Sequence, residues 1–119
     1  MTTVVFYKSN GIYYGFEEQG HTGYADEGSD ILCSAISAMT MFLINAIEVS
    51  YDSHVEYTID EETTLITLVA KSALPEFEKD VKKQYAVSGL IAAYFYQLRE
   101  LTEEYHMYLS VRDVERPLK

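Results

Sequence analysis

Cysteine is nearly absent from this sequence of 119 residues, which contains only Cys33. A lone cysteine excludes a disulfide within the chain, and it makes a reducing compartment the natural location. Basic residues are also few, because nine Lys and Arg stand against 19 Asp and Glu and give a formal net charge of −10. Nucleic acids and anionic membrane surfaces attract basic patches, so we expect neither as a direct partner. The acidic charge fits solubility alone or a basic protein partner.

We also expect no segment that directs the chain into or across a membrane. Its first residues lack a basic region followed by a long apolar run, so we expect no signal peptide and a cytoplasmic protein. The longest uncharged stretch, from Ile31 to Ile47, falls short of the roughly 20 residues that span a bilayer. It also contains polar residues such as Thr40 and Asn45. The stretch therefore predicts a buried helix and no membrane contact.

The motifs of several enzyme classes are absent as well. Met39 occupies the sixth position after Cys33, where a Cys-x5-Arg phosphatase would carry arginine. No second cysteine exists to form a Cys-x-x-Cys pair, which excludes thioredoxin-like redox chemistry and a thiolate zinc site. Neither a glycine–lysine phosphate loop nor a glycine-rich dinucleotide fingerprint occurs. We therefore expect no metal and no cofactor.

The residues that are present predict an α+β fold. Alternating apolar and β-branched residues predict strands over 3–8, 12–18, 54–59, 64–70 and 106–113. Asn10-Gly11 is typical of a tight turn between the first two strands. Longer apolar runs predict helices from Asp30 to about Glu48 and from Pro75 to about residue 103, since aspartate caps helices and proline suits the first helical position. The order ββαββαβ predicts two helices packed on a mixed or antiparallel sheet in one domain, 1–119. The first helix is apolar on nearly all sides, so we expect it to be central to the fold.

Cys33 and His21 are the residues that suggest catalysis. Cys33 follows the predicted N-cap Asp30 by three positions, so it lies in the first turn of the predicted helix, where the dipole and free amides favour a thiolate. His21 lies twelve residues earlier, in a loop with three glycines. If the loop folds back, the imidazole reaches the sulfur and forms the nucleophile–base pair of covalent acyl transfer. The amides around Cys33 are then candidates for an oxyanion hole.

Two further polar residues near Cys33 have open interpretations. Ser37 lies four residues after Cys33 on the same helix face, and it either orients a water, the imidazole or the peptide, or bonds back to a preceding carbonyl. Asp30 either steers His21 or only caps the helix. A lone cysteine in an apolar helix is also commonly a small packed hydrophobe, so spacing alone leaves catalysis open.

A longer motif around these residues resembles a known family. The run Gly20-His21-Thr22-Gly23-Tyr24-Ala25, followed by Gly28, Asp30-Ile31-Leu32-Cys33 and Ser37-Ala38, resembles the motif of the ribosomal-processing cysteine proteases. That family carries a glycine–histidine–x–glycine–tyrosine–alanine loop, then an aspartate–x–x–cysteine helix start and a serine four residues later. The chain length and the order of elements also fit the family. Thr22 departs from the small residue that is common at its position.

The resemblance implies an activity, a substrate and a set of site residues. Family members are bacterial α+β homodimers that remove the N-terminal extension of the twenty-seventh large-subunit ribosomal protein, a basic precursor. The resemblance assigns Cys33 as nucleophile and His21 as general base, with Asp30 and Ser37 as supporting residues. It also implies a mobile active-site loop over 20–29, which contains Gly20, Thr22, Gly23, Tyr24 and Gly28. The alternative is a non-catalytic, ribosome-associated binding module with the same fold, in which Cys33 is only a packed residue.

Overall fold

The computed structural model describes residues 1–20, 27–60 and 62–118, with residues 27–30 described by their backbone alone. The main elements follow the predicted order ββαββαβ, which is confirmed. They are β1 (Thr2–Ser9), β2 (Ile12–Gln19), α1 (Glu27–Asn45), β3 (Glu56–Asp60), β4 (Leu65–Val69), α2 (Val81–Tyr105) and β5 (Leu109–Glu115). A π-helical turn, Ala46–Ser50, extends α1, and a 3₁₀ turn, Lys71–Ala73, follows β4.

The five strands form one mixed sheet in the order β3-β4-β2-β1-β5. β1 lies antiparallel to β2 and parallel to β5, and the β2–β4 and β3–β4 pairs are antiparallel. Both helices contact the same face of this sheet, because Thr40 of α1 and Tyr94 of α2 both bond to Glu18 of β2. The predicted α+β class, with two helices on a mixed sheet, is confirmed.

Aromatic rings fill the space between the sheet and α2. The ring of Phe6 lies 5.1 Å from that of Phe16, 5.7 Å from that of Tyr94 and 5.1 Å from that of Phe95, measured between centroids. Such tilted and edge-on pairs contribute about 0.5–1.5 kcal/mol each beyond the burial of their area. Phe6 and Phe16 are fully buried because alternate residues of β1 and β2 point into this layer.

The turn between β1 and β2 has the conformation that its sequence predicts. Asn10 and Gly11 both adopt positive φ angles, 51° and 79°. Two consecutive left-handed residues give the turn a twist that matches paired strands, and asparagine followed by glycine tolerates them best. The tail of β5 holds the turn from outside, since the carboxylate of Glu115 accepts from the amides of Asn10 and Gly11.

The first helix is apolar on nearly all sides, as predicted, but the prediction that it is buried holds for one face only. Its inner face is buried through Leu32, Ile36, Leu43 and Ile47. Its outer face carries exposed Ile31, Met41 and Phe42, and Val49 lies exposed in the π-helical turn. Within the described residues, the segment Ile31–Ser50 is long and apolar enough to cross a membrane by length and composition, although a third of it is buried in this fold.

Several predicted boundaries are wrong. The first helix already includes Glu27, so Asp30 lies inside the helix and does not open it. The second helix begins at Val81 instead of Pro75, because Asp80 caps it by accepting from the amides of Lys82 and Lys83. The last strand begins at Leu109, since the helix runs on to Tyr105.

Candidate active site

Cys33 is the seventh residue of α1, where it is free and half-buried. The flanking residues on the inner face, Leu32 and Ile36, are buried in the core. Cys33 therefore lies at the border between the core-facing and the exposed side of the helix. A half-buried thiol in this position is held by the helix and is still open to a reactant.

The surroundings of Cys33 differ from those predicted for a first-turn residue. Since α1 includes Glu27, Cys33 lies in the second helical turn. The amides of a helix that lack an intrahelical acceptor belong to its first turn, ahead of Asp30. The influence of the dipole also falls off within that turn. The predicted oxyanion donors around Cys33 are therefore engaged inside the helix, and the predicted dipole effect on its sulfur is weaker.

The helix places both predicted supporting residues, Asp30 and Ser37, on the side that carries Cys33. Asp30, Cys33 and Ser37 are spaced by three and four residues within the continuous α1, so their Cα atoms follow one another along one helix side. Ser37 is exposed one turn beyond Cys33. The backbone of Asp30 is helical, which excludes the N-cap role, whereas its side chain is outside the described part of the structure.

Most of the predicted active-site loop lies outside the described residues. These positions are His21, Thr22, Gly23 and Tyr24, and Gly28 is described by its backbone alone. Gly20, where the chain leaves β2, has a φ of +100°. A Cβ atom at Gly20 would overlap the carbonyl oxygen of Met1, so the position requires glycine both for its dihedral angle and for the close approach of the two chain segments.

A buried polar cluster joins α1, α2 and β2, and the sequence did not predict it. Oε1 of Glu18 accepts hydrogen bonds from the Tyr94 hydroxyl at 2.7 Å and from the Thr40 hydroxyl at 3.0 Å. The two hydroxyl oxygens are 2.8 Å apart. Glu18 is fully buried, and its Oε2 has no hydrogen-bond partner among the described residues. The signal in the sequence was the position of Glu18, two residues after the inward-facing Phe16 on an alternating strand.

Burial determines the protonation of this cluster. Desolvation raises the pKa of the Glu18 carboxyl, and the hydrogen bonds from Tyr94 and Thr40 oppose that shift. Desolvation, together with the nearby Glu18, also raises the pKa of the Tyr94 hydroxyl. Tyr94 is therefore a hydrogen-bond donor at every physiological pH, and the neutral form of Glu18 is favoured relative to a solvated glutamate.

The cluster is related to Cys33 through α1. Thr40 follows Cys33 by seven residues, which places both on the same side of the helix two turns apart. Glu18 precedes the predicted base His21 by three residues. The cluster thus ties the helix that carries the cysteine to the strand that leads into the predicted active-site loop.

Comparisons with known proteins agree with this fold. A model of the cysteine protease Prp family matches residues 1–110. SMU.848 from Streptococcus mutans has a crystal structure that is similar with a TM-score of 0.79 and 27% identity, covering 98% of this chain and 99% of that one. The ribosomal processing protease Prp from S. aureus, in complex with a substrate peptide, has a TM-score of 0.77 and 16% identity, covering 96% and 100% of the two chains.

A second structure of the S. aureus protease, with a covalently linked product peptide, has a TM-score of 0.75 and 17% identity over the same shares of the two chains. The search of curated proteins gives no match. The family match spans most of the chain, including Cys33 and the predicted loop, and it supports a cysteine protease over a non-catalytic module. The chain belongs to the cysteine protease Prp family, and it is a cysteine protease.

Proposed function

We propose that this cysteine protease uses Cys33 as its nucleophile and His21 as its general base. The observation that carries the proposal is that Cys33 is the only cysteine in the sequence. A cysteine protease needs a thiolate, and no other residue of this chain supplies one. The half-buried position of Cys33 on α1 supports this role, since the residue is fixed by the helix and accessible.

The proposed reaction proceeds through an acyl-enzyme. The Cys33 thiol loses its proton to the imidazole of His21, and the sulfur attacks the scissile carbonyl carbon. The tetrahedral intermediate collapses as the carbon–nitrogen bond breaks, and the imidazolium gives its proton to the leaving amine. Water, deprotonated by the same imidazole, then hydrolyses the thioester and regenerates the free thiol.

Asp30 and Ser37 are proposed as supporting groups for this reaction. Ser37 is exposed one turn after Cys33, so its hydroxyl is free to orient the substrate peptide or the hydrolytic water. Asp30 precedes Cys33 by three residues on the same helix side, where a carboxylate would steer an imidazole. The loop over 20–29, with Gly20, Thr22, Gly23, Tyr24 and Gly28, is proposed to close over bound substrate and to bring His21 into reach.

The proposed substrate is the basic precursor of a large-subunit ribosomal protein, from which the enzyme removes the N-terminal extension. The similar S. aureus protein is described as an essential ribosomal processing protease and was crystallised with a substrate peptide. The net charge of −10 supports a basic substrate, because opposite charge raises the rate of encounter. We place the enzyme in the cytoplasm, where a chain with one free thiol stays reduced.

A homodimer is part of the proposal, and the outer face of α1 supports it. Phe42 is 70% exposed, and Met41 and Val49 next to it are also largely exposed. Phe42 further lines an apolar cleft of about 260 Å³ between α1 and α2, together with Met39 and Leu90. Contiguous apolar surface of this kind is uncommon on a monomer and typical of an interface.

Cleavage of the precursor tests the proposed function. The purified enzyme is incubated with the ribosomal precursor of the same organism, beside the Cys33→Ala and His21→Ala variants. Both variants should lose essentially all cleavage, whereas Ser34→Ala, an exposed neighbour with no assigned role, should keep the parent rate. A precursor that stays intact with the parent enzyme, or that Cys33→Ala cuts as fast, overturns the proposal.

A further inference from the structure

The edge of the sheet at β3 is open. β3 is an end strand, and all five of its residues are exposed. Alternate residues of an end strand direct their N–H and C=O groups away from the sheet. No backbone of another described residue bonds to β3 from that side. The strand therefore offers a row of backbone donors and acceptors to an added strand.

Side chains along β3 give this edge a definite chemistry. Tyr57 and Ile59 are 48% and 61% exposed, and they lie on the face that carries the helices because they pair with Leu68 and Ile66 of β4. Glu56 and Asp60 lie four residues apart on the opposite face. An added strand would thus meet apolar side chains on one face and two carboxylates on the other.

The carboxylates discriminate between two occupants. One occupant would be a second copy of the chain, with the two β3 strands antiparallel and centred on Thr58. Glu56 of each chain would then stand opposite Asp60 of the other, which gives two pairs of like charges. Like charges directly opposite each other destabilise a sheet. An extended segment with basic residues four positions apart instead places a cation opposite each carboxylate. Lys71 lies 3.7 Å from Glu56, and both side chains are half exposed. This surface ion pair is weak, so a basic residue of the segment can replace Lys71 in it.

The edge is also close to the strand that leads into the predicted active-site loop. Ile59 pairs with Ile66, and Ile66 pairs with Glu18, so the three residues form one row across β3, β4 and β2. Two strand spacings separate the ends of that row, which is about 10 Å. Gly20 follows Glu18 by two residues. β3 therefore lies two strands away from the strand that leads into the predicted active-site loop, in the same sheet.

We propose that β3 is a docking edge for an extended, basic segment of the protein substrate, which adds to the sheet as a sixth strand. The backbone edge binds the segment, Glu56 and Asp60 select its basic residues, and Tyr57 and Ile59 contact its apolar side chains. The inference rests on the proposed processing of a basic precursor, because that substrate supplies the segment.

Binding of a short probe tests the docking edge without any cleavage. The probe is a fluorescein-labelled peptide of lysine, valine, threonine, isoleucine and lysine between neutral glycine–serine ends, and it is titrated against the Cys33→Ala chain at low salt. The double variant Glu56→Gln with Asp60→Asn should weaken binding about five- to tenfold, as expected for two cross-strand charge pairs. Asn keeps the oxygen of Asp60 that accepts from the amides of Glu62 and Thr63.

A matched variant separates a specific edge from general acidity. Glu103→Gln with Glu104→Gln removes the same charge from an exposed part of α2 and should change binding less than about twofold. A probe methylated on alternate amide nitrogens should bind the parent edge at least as weakly as the unmethylated probe binds the Glu56→Gln, Asp60→Asn variant. Amide NMR shifts caused by the unmethylated probe should centre on β3. Equal losses in both double variants, an undiminished methylated probe, or shifts centred away from β3 overturn the proposal.

Kinetics on the precursor keep this inference separate from the proposed function. The variant Glu56→Gln with Asp60→Asn should raise the KM for the basic precursor and leave kcat unchanged. If the parent enzyme does not cut the precursor but the probe docks on β3, the processing proposal fails and the edge stands. If the precursor is cut with the same KM by the edge variant, the edge fails and the processing proposal stands.

Discussion

The hydroxyl of Tyr94 donates a 2.7 Å hydrogen bond to Oε1 of Glu18 inside the core, and this bond links α2 to the strand that leads toward the predicted loop. Thr40 of α1 donates to the same oxygen. A carboxyl that is removed from water depends on such donors, because an unpaired buried polar group is costly. Three elements are therefore joined at one atom.

Removing the Tyr94 hydroxyl should destabilise the protein. In Tyr94→Phe the ring packing is kept, and Oε1 of Glu18 loses its shorter hydrogen bond, so the free energy of unfolding should fall by about 1–3 kcal/mol. Urea unfolding measures the change. Ser88→Ala is the matched control, since the Ser88 hydroxyl only bonds back to the Tyr85 carbonyl within α2, and it should stay within about 0.5 kcal/mol of the parent. Equal stability of Tyr94→Phe and the parent contradicts the role of the cluster.

The pH dependence of stability should report on Glu18. Burial raises the pKa of its carboxyl above the ordinary value of 4.5, so the folded chain binds a proton more tightly at this site than the unfolded chain does. The stabilisation of the folded state that this tighter proton binding provides is fully present below about pH 4.5, and it is lost as pH rises through the pKa of Glu18 in the folded state. Glu18→Gln is neutral at every pH and lacks this loss.

Unfolding in urea from pH 4.5 to 8 checks the prediction. The free energy of the parent relative to Glu18→Gln should decline as pH rises, whereas Glu103→Gln on the surface of α2 should run parallel to the parent. Parallel curves for the parent and Glu18→Gln would show that the two states bind this proton equally well.

Gly11 and Gly20, which both have positive φ, should respond differently to alanine. Gly11→Ala meets open space, so its cost is the left-handed backbone alone, about 1 kcal/mol. Gly20→Ala adds an overlap with the Met1 carbonyl, and the end of β2 has to shift away from the start of β1. Thermal unfolding should therefore show a clearly larger loss for Gly20→Ala, and similar losses at both positions would mean that the close approach at Gly20 is relieved at no cost.

The proposed homodimer depends on the outer face of α1. Phe42→Glu places a charge at the centre of the exposed apolar surface, and it should convert the dimer to a monomer at micromolar concentration. Sedimentation velocity measures the change. Tyr85→Glu on α2 is the control, because Tyr85 is 77% exposed and outside this surface. A parent chain that sediments as a monomer, or a Phe42→Glu chain that stays dimeric, removes α1 as the interface.

Local sequence signals predicted much of the fold. Asn10-Gly11 predicted the turn, and the alternation around Phe6 and Phe16 predicted paired strands, because these patterns depend on neighbouring residues only. Helix starts were harder to predict, since Asp30 is a good cap by type but lies inside a helix that already includes Glu27. Pro75 likewise suits a helix start by type, whereas the carboxylate of Asp80 makes the actual cap.

The candidate site was predictable where it lies in one motif, and the rest depended on tertiary contacts. The spacing of Asp30, Cys33 and Ser37 predicted one helix side, and the continuous α1 agrees with it. The Glu18–Thr40–Tyr94 cluster joins positions up to 76 residues apart, so the strand alternation indicates at most that Glu18 faces inward and does not indicate its partners. The open edge at β3 follows only from the strand order, which places β3 at the end of the sheet.

The identity of the nucleophile is tested most directly by trapping the acyl-enzyme. The enzyme is mixed with a synthetic peptide covering the cleavage site of the precursor, quenched in acid within the first turnover, and analysed by intact mass and peptide mapping. We predict a mass increase equal to the N-terminal fragment of the peptide less one water, located on Cys33 and absent in Cys33→Ala. Cleavage without any adduct on Cys33, at a rate that Cys33→Ala retains, would contradict the account.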